Sequence, residues 1–141
     1  MITPELATSL QLAGLPWHPR PGDRFAIPQP ELQDQVFTIS DMVVEPREYP
    51  TGTVLGFNGT TEWALDSVDQ DQALWLPRED QLRELLGGTF IRLERTDDGY
   101  RVVVAGDDGR SEHAHVAASA AEAYGLAVLD LVSRATGVVP S

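Results

Sequence analysis

The chain has 141 residues, enough for one domain with a real core, and its 22 acidic against 10 basic residues give a formal charge of −12. That field repels phosphate backbones and anionic lipid surfaces, so nucleic acid and membrane drop out as partners, while a basic protein or a cation fits. Cysteine and lysine are both missing, which removes disulfides, thiolate and Schiff-base chemistry and any lysine-dependent phosphate loop.

In chain order, Thr3-Pro4-Glu5 is a helix start and Gly14 with Pro16 a stop; Leu6, Leu10 and Ala13 repeat at helical spacing between them. Trp17 to Asp23 is a proline-rich loop. Arg24 to Ile27 is a short strand, and a longer strand is predicted from Val36 to Glu45, ended by Pro46. Tyr49 to Gly52 is a turn. Asn58-Gly59 is a tight turn, and Thr60 or Thr61 caps a short helix carrying Trp63, Ala64 and Leu65. That helix should stop near Ser67, where the acids of the loop Asp66, Asp69 and Asp71 oppose its dipole. Pro77 is expected in the first turn of the next helix, with Leu82, Leu85 and Leu86 as its apolar stripe and Gly87-Gly88 as its end.

After Gly88, two Asp-Asp-Gly turns separate Thr89–Arg95, Tyr100–Ala105 and Arg110–Val116, which reads as a three-stranded meander. Ile91 and Leu93 should face the core, with Tyr100, Val102 and Val104 or the alternate set. Ser119 and Glu122 form a capping box before a helix striped by Ala120, Ala123, Tyr124, Ala127, Val128, Leu131 and Val132. Gly125 allows another element to approach. The expected fold is a single α+β domain over residues 1–141. Residues 1–88 hold the N-terminal and central elements. Residues 89–141 hold the antiparallel meander and the long C-terminal helix.

Candidate chemistry is sparse. His113 and His115 alternate on a strand and share one face, a start toward a zinc site that still wants a third ligand. The bland alternative is a solvated face opposite the helix. Asp66, Asp69 and Asp71 offer oxygens but not the spacing of a calcium loop. Serine lies in no nucleophile-elbow context, and glycine in no dinucleotide fingerprint. Trp63 and Trp75, flanking the acidic loop, with Arg78 after Pro77, make a candidate recognition patch, because tryptophan is enriched at binding hot spots. No cofactor is expected. No signal peptide is visible, and no apolar run approaches the roughly 20 residues of a membrane span, so a cytoplasmic protein is expected.

The stretch GFNGTTEWALDSVDQDQALWLPREDQLRELLGG, with PGDRFAIP and DMVVE before it and TFIRLER and EAYGLAVL after it, resembles a family of small actinobacterial proteins commonly labelled "pilus assembly protein CpaE". The likeness covers nearly the whole chain. It carries no assigned activity, cofactor or catalytic residue. Without lysine or a glycine-rich phosphate loop, any pilus role it implies is that of an accessory binding protein rather than an ATPase. The leading expectation is therefore a non-enzymatic protein-binding module. The rival is a small metal-assisted hydrolase or ligand-binding enzyme using His113, His115 and the acidic loop.

Overall fold

The computed structural model describes residues 1–28, 35–39, 44–49, 52–57, 67–69 and 73–137, with the backbone alone at 44–49, 52–57 and 67–69. In chain order the elements are α1 (Pro4–Ala13), β1 (Arg24–Ala26), β2 (Phe37–Thr38), β3 (Val44–Tyr49), β4 (Gly52–Phe57), β5 (Ser67–Asp69), β6 (Leu74–Trp75), α2 (Glu79–Leu86), β7 (Phe90–Arg95), β8 (Tyr100–Ala105), β9 (Glu112–Ala117) and α3 (Ala120–Thr136). The architecture is α+β, with every strand pair antiparallel and the meander followed by the long helix. Met1–Pro16 and Pro77–Ser141 form one compact unit and Trp17–Leu76 the other.

The first unit is built around α3. Its N-cap, Ser119, accepts from the Glu122 N–H at 3.1 Å, and Gly137 closes it with φ 75°. α1 and α2 pack against it, and it lies over β8 and β9. Burial on α3 is therefore wider than one stripe: Ala121, Ala123, Tyr124, Gly125, Ala127 and Val128 are all buried. The predicted stripe narrows at its ends, where Ala120, Leu131 and Val132 are only half-buried. α1 starts and stops where its sequence says. The Thr3 hydroxyl accepts from the Leu6 N–H at 3.2 Å, Pro4 opens the helix, and Gly14 ends it at φ 105°.

α2 departs from expectation in two details. Pro77 lies one residue ahead of the N-cap, Arg78, rather than inside the first turn. An arginine side chain cannot accept, so the cap is made the other way, by Gln81 Oε1 taking the Arg78 N–H at 2.9 Å. Leu82 and Leu86 are buried, but Leu85 is 40% exposed. It sits about 100° round the helix from Leu86, and a two-turn helix packed on one neighbour buries only a narrow stripe.

The meander runs β7-β8-β9 as predicted. Register places Leu93 and His115 beside Val102, and Arg92 and Ala114 beside Val103. A bulge between Phe90 and Arg92 puts Phe90 on the face beneath α3, where its ring lies 5.8 Å from that of Tyr124. The expectation that Ile91 and Leu93 face the core fails: they are 41% and 39% exposed. Ile91 is the bulged residue, and Leu93 lies on β7, which α3 meets at Phe90 but covers less than β8 and β9. Val102, Val103 and Val104 are all buried, so β8 is apolar on both faces, as suits a central strand.

In the second unit the predicted strand over 36–45 is instead two strands, β2 and β3, in different sheets. Pro46 does not end β3; it pairs with Leu55. β3 is the edge of the sheet β3-β4-β5, and an edge tolerates a missing N–H. Ser67–Asp69 is a strand paired with Val54–Gly56, so Asp69 is not part of an acidic loop. Backbone pairing with the extended apolar run of β4 outweighs the turn signal of its acids. The Asn58-Gly59 turn and the short helix expected after it lie outside the described residues.

Candidate functional site

Sheet β2-β1-β6 assembles an aromatic row from three distant segments. Phe25 stands directly opposite Phe37 on one side and Trp75 on the other. Cross-strand partners are close enough for ring contact, and the Phe25 and Phe37 centroids are 5.5 Å apart. Trp17 completes the group from the loop before β1. Its indole stacks on Trp75 at 6.2 Å with an interplanar angle of 8°, and tilts against Phe25 at 5.8 Å. Phe25 is fully buried, while Trp17, Phe37 and Trp75 are half-buried.

Asp23 holds Trp17 in place. Its buried Oδ2 accepts from the Trp17 indole N–H at 2.9 Å and from the Arg20 N–H at 3.0 Å. The two strands on either side are tied through the backbone: the Ile39 N–H donates to Asp23 O at 2.8 Å and the Leu76 N–H to Arg24 O at 2.9 Å. The Trp75 indole N–H is buried with no acceptor among the described residues. The stacked pair is thus a rigid, partly exposed aromatic platform with one polar atom left unmatched.

Of the sequence-derived patch, Trp63, Asp66 and Asp71 lie outside the described residues. Asp69 ends β5, its backbone paired with Val54. Arg78 belongs to the first unit, where its Nε meets Asp80 Oδ1 at 3.1 Å. That hydrogen bond is the main reason the Asp80 carboxyl titrates below the usual range. Trp17 and Asp23 carry no local motif that would announce their roles. Only the closure of the loop between them brings them together.

His113 and His115 do share one face of β9, and it is the face beneath α3, not a solvated one. His115 Nε2 lies 3.7 Å from Asp130 Oδ2, and Arg134 clamps the same carboxylate at 3.2 and 3.1 Å. Arg134 Nη1 stands 3.5 Å from His113 Nε2; a guanidinium only donates, so His113 accepts there. The same nitrogen is 3.9 Å from Asp107 on the β8–β9 turn. Burial, above all, pushes the His115 pKa down; His113 and Arg134 push the same way and Asp130 opposes them. His115 Nε2 is buried and makes no hydrogen bond among the described residues, so the imidazole faces a carboxylate already held by Arg134 without being tied to it. Among the described residues no group of three or more His, Asp or Glu is placed to hold a metal ion.

The turn beneath this cluster is firmly made. Asp108 Oδ1 accepts from the Arg110 N–H, the Ser111 N–H and the Ser111 hydroxyl at 2.8–2.9 Å. These bonds, led by the Ser111 N–H, hold the Asp108 pKa at about 2. Asp130 and Arg134 show in the sequence only as an i,i+4 pair, a signal of helix support and not of a site.

Compared with family models, curated proteins and solved structures, the chain has no match. Among the described residues no helix is long and apolar enough to cross a membrane.

Proposed function

We propose that this protein is a non-enzymatic, cytoplasmic binding module whose partner is a basic protein, engaged at the aromatic platform around Trp75. The observation that carries the reading is the Trp17–Trp75 stack, half-buried and pinned through Asp23. Rigid aromatic side chains offer large contact area at little entropic cost and anchor binding hot spots. The formal charge of −12 supports a basic partner, both in steering and in selectivity. The sequence resemblance to chains labelled as pilus assembly proteins supports an accessory role of this kind.

The test is capture of binding proteins from the source cell by the wild-type chain and by Trp75→Ala, each checked for native circular dichroism. A specific basic partner should be retained by the wild type, and retention should weaken as salt rises. Trp75→Ala should lose about 2 kcal/mol or more of binding. Equal retention by both chains, or a partner held independently of salt, would overturn the reading.

A further inference from the structure

The first unit carries a second surface, and its chemistry fits a different partner. β7 is an edge of the meander sheet, paired only with β8 among the described residues. Its apolar side chains Ile91 and Leu93 are exposed, a combination that proteins ordinarily avoid on an edge strand unless something covers it. We propose that what covers it is β7 of a second copy, the two edges pairing antiparallel about a twofold axis at Leu93 to give a continuous six-stranded sheet.

The charge pattern selects both the partner and the register. Residues directly opposite in an antiparallel pair share a face, so a twofold axis normal to the sheet must pass through a residue and its own mate. Centred on Leu93, Arg92 stands opposite the second copy's Glu94 and Glu94 opposite its Arg92, while the two Leu93 side chains meet on the other face. Opposite charges facing across strands stabilise; like charges destabilise. Centring on Arg92 sets arginine against arginine, and centring on Glu94 sets glutamate against glutamate. The other edge does not offer this. On β9 a twofold axis at Ala114 sets His113 against His115 and Glu112 against Val116, with no opposite-charge pair.

The open face supports the same conclusion. Arg92 pairs with Glu94 along its own strand and with Glu112 across the sheet at 3.6 Å, and Arg101 reaches Glu94 at 3.6 Å. Two arginines and two glutamates make this face locally neutral in a chain whose formal charge is −12. It is thus a surface on which two copies can approach despite their net repulsion. The bulged Ile91 would stand opposite Arg95, so regular pairing is limited to Arg92–Glu94; the contact is short and the dimer weak to moderate.

Sedimentation velocity of the full chain from micromolar to submillimolar concentration reads the outcome. The wild type should dimerise. Glu94→Arg should raise the dimer Kd about tenfold or more by facing arginines with arginines, and Arg92→Glu with Glu94→Arg should restore it, because the double swap is again self-complementary. The absence of native cysteine gives an independent readout: Leu93→Cys should cross-link to its own mate under mild oxidation, and Val116→Cys, on the other edge strand, should not. A wild type monomeric throughout the range, a dimer indifferent to Glu94→Arg, or equal cross-linking of the two cysteine variants would overturn the proposal.

Discussion

Glu122 Oε1 accepts a hydrogen bond from the backbone N–H of Thr3 at 2.7 Å, across 119 residues of sequence. Glu122 is the third residue of α3, where a capping box would send its carboxylate back to its own N-cap. The carboxylate instead satisfies the N-cap N–H of α1. One anion therefore serves the positive ends of two helices, while each helix keeps its own hydroxyl cap, Thr3 on α1 and Ser119 on α3. Glu122→Ala should cost about 1–2 kcal/mol in urea unfolding, and Glu122→Gln, which keeps the acceptor and loses the charge, about half of that. Equal losses for the two would mean that the hydrogen bond contributes nothing and the charge alone matters.

At Gly125, α1 comes close to α3. A Cβ added there would stand 2.5 Å from Leu6 Cδ2 and 3.4 Å from Ile2 Cγ2. Alanine gains about 1 kcal/mol of helix propensity over glycine, while forcing an extra carbon into a packed site costs about 1–3 kcal/mol. Gly125→Ala should therefore be neutral to mildly destabilising in the wild type. In a Leu6→Ala background the obstructing methyl is gone, and the same change should stabilise by about 1 kcal/mol. The same effect in both backgrounds would break the assignment of Gly125 to this contact.

Local chemistry was legible in the sequence wherever a few adjacent residues decide the outcome. Thr3-Pro4 and Gly14, Ser119 and Gly137, and the two Asp-Asp-Gly turns mark real boundaries. What the sequence could not show was which surface each pattern would meet. Nothing local says that α3 lies chiefly over β8 and β9, so Leu93 reads as a core residue from its pattern and His113 and His115 stay open to a solvated reading. The aromatic row needs Phe25, Phe37 and Trp75 brought together from three segments, and periodicity within one segment is blind to that. The same distinction grades three leucines. Leu82→Ala, at a fully buried site, should cost about 2–5 kcal/mol; Leu85→Ala should stay within about 0.5 kcal/mol; half-buried Leu131→Ala should fall between. A Leu131 loss as large as that of Leu82 would mean that the end of α3 is packed more deeply than described.

The last prediction concerns acid. His115 sits under α3 with its ring largely covered, and its folded pKa lies below the ordinary 6.5, chiefly because burial disfavours the cation. The unfolded chain takes up this proton as the pH falls through 6.5, while the folded chain resists until lower pH. In that window the unfolded state binds more protons, so stability falls as pH falls; above 6.5 both states are neutral and the group contributes no slope. His115→Phe keeps a flat ring and removes the proton, so its urea midpoint should fall less steeply than the wild type's below pH 6.5 and run parallel to it above. Asp130 is the one neighbour that favours the cation, against His113 and Arg134, so Asp130→Asn should steepen the loss. Parallel curves for wild type and His115→Phe on both sides of 6.5 would show that this imidazole is solvated, and that α3 does not close over it.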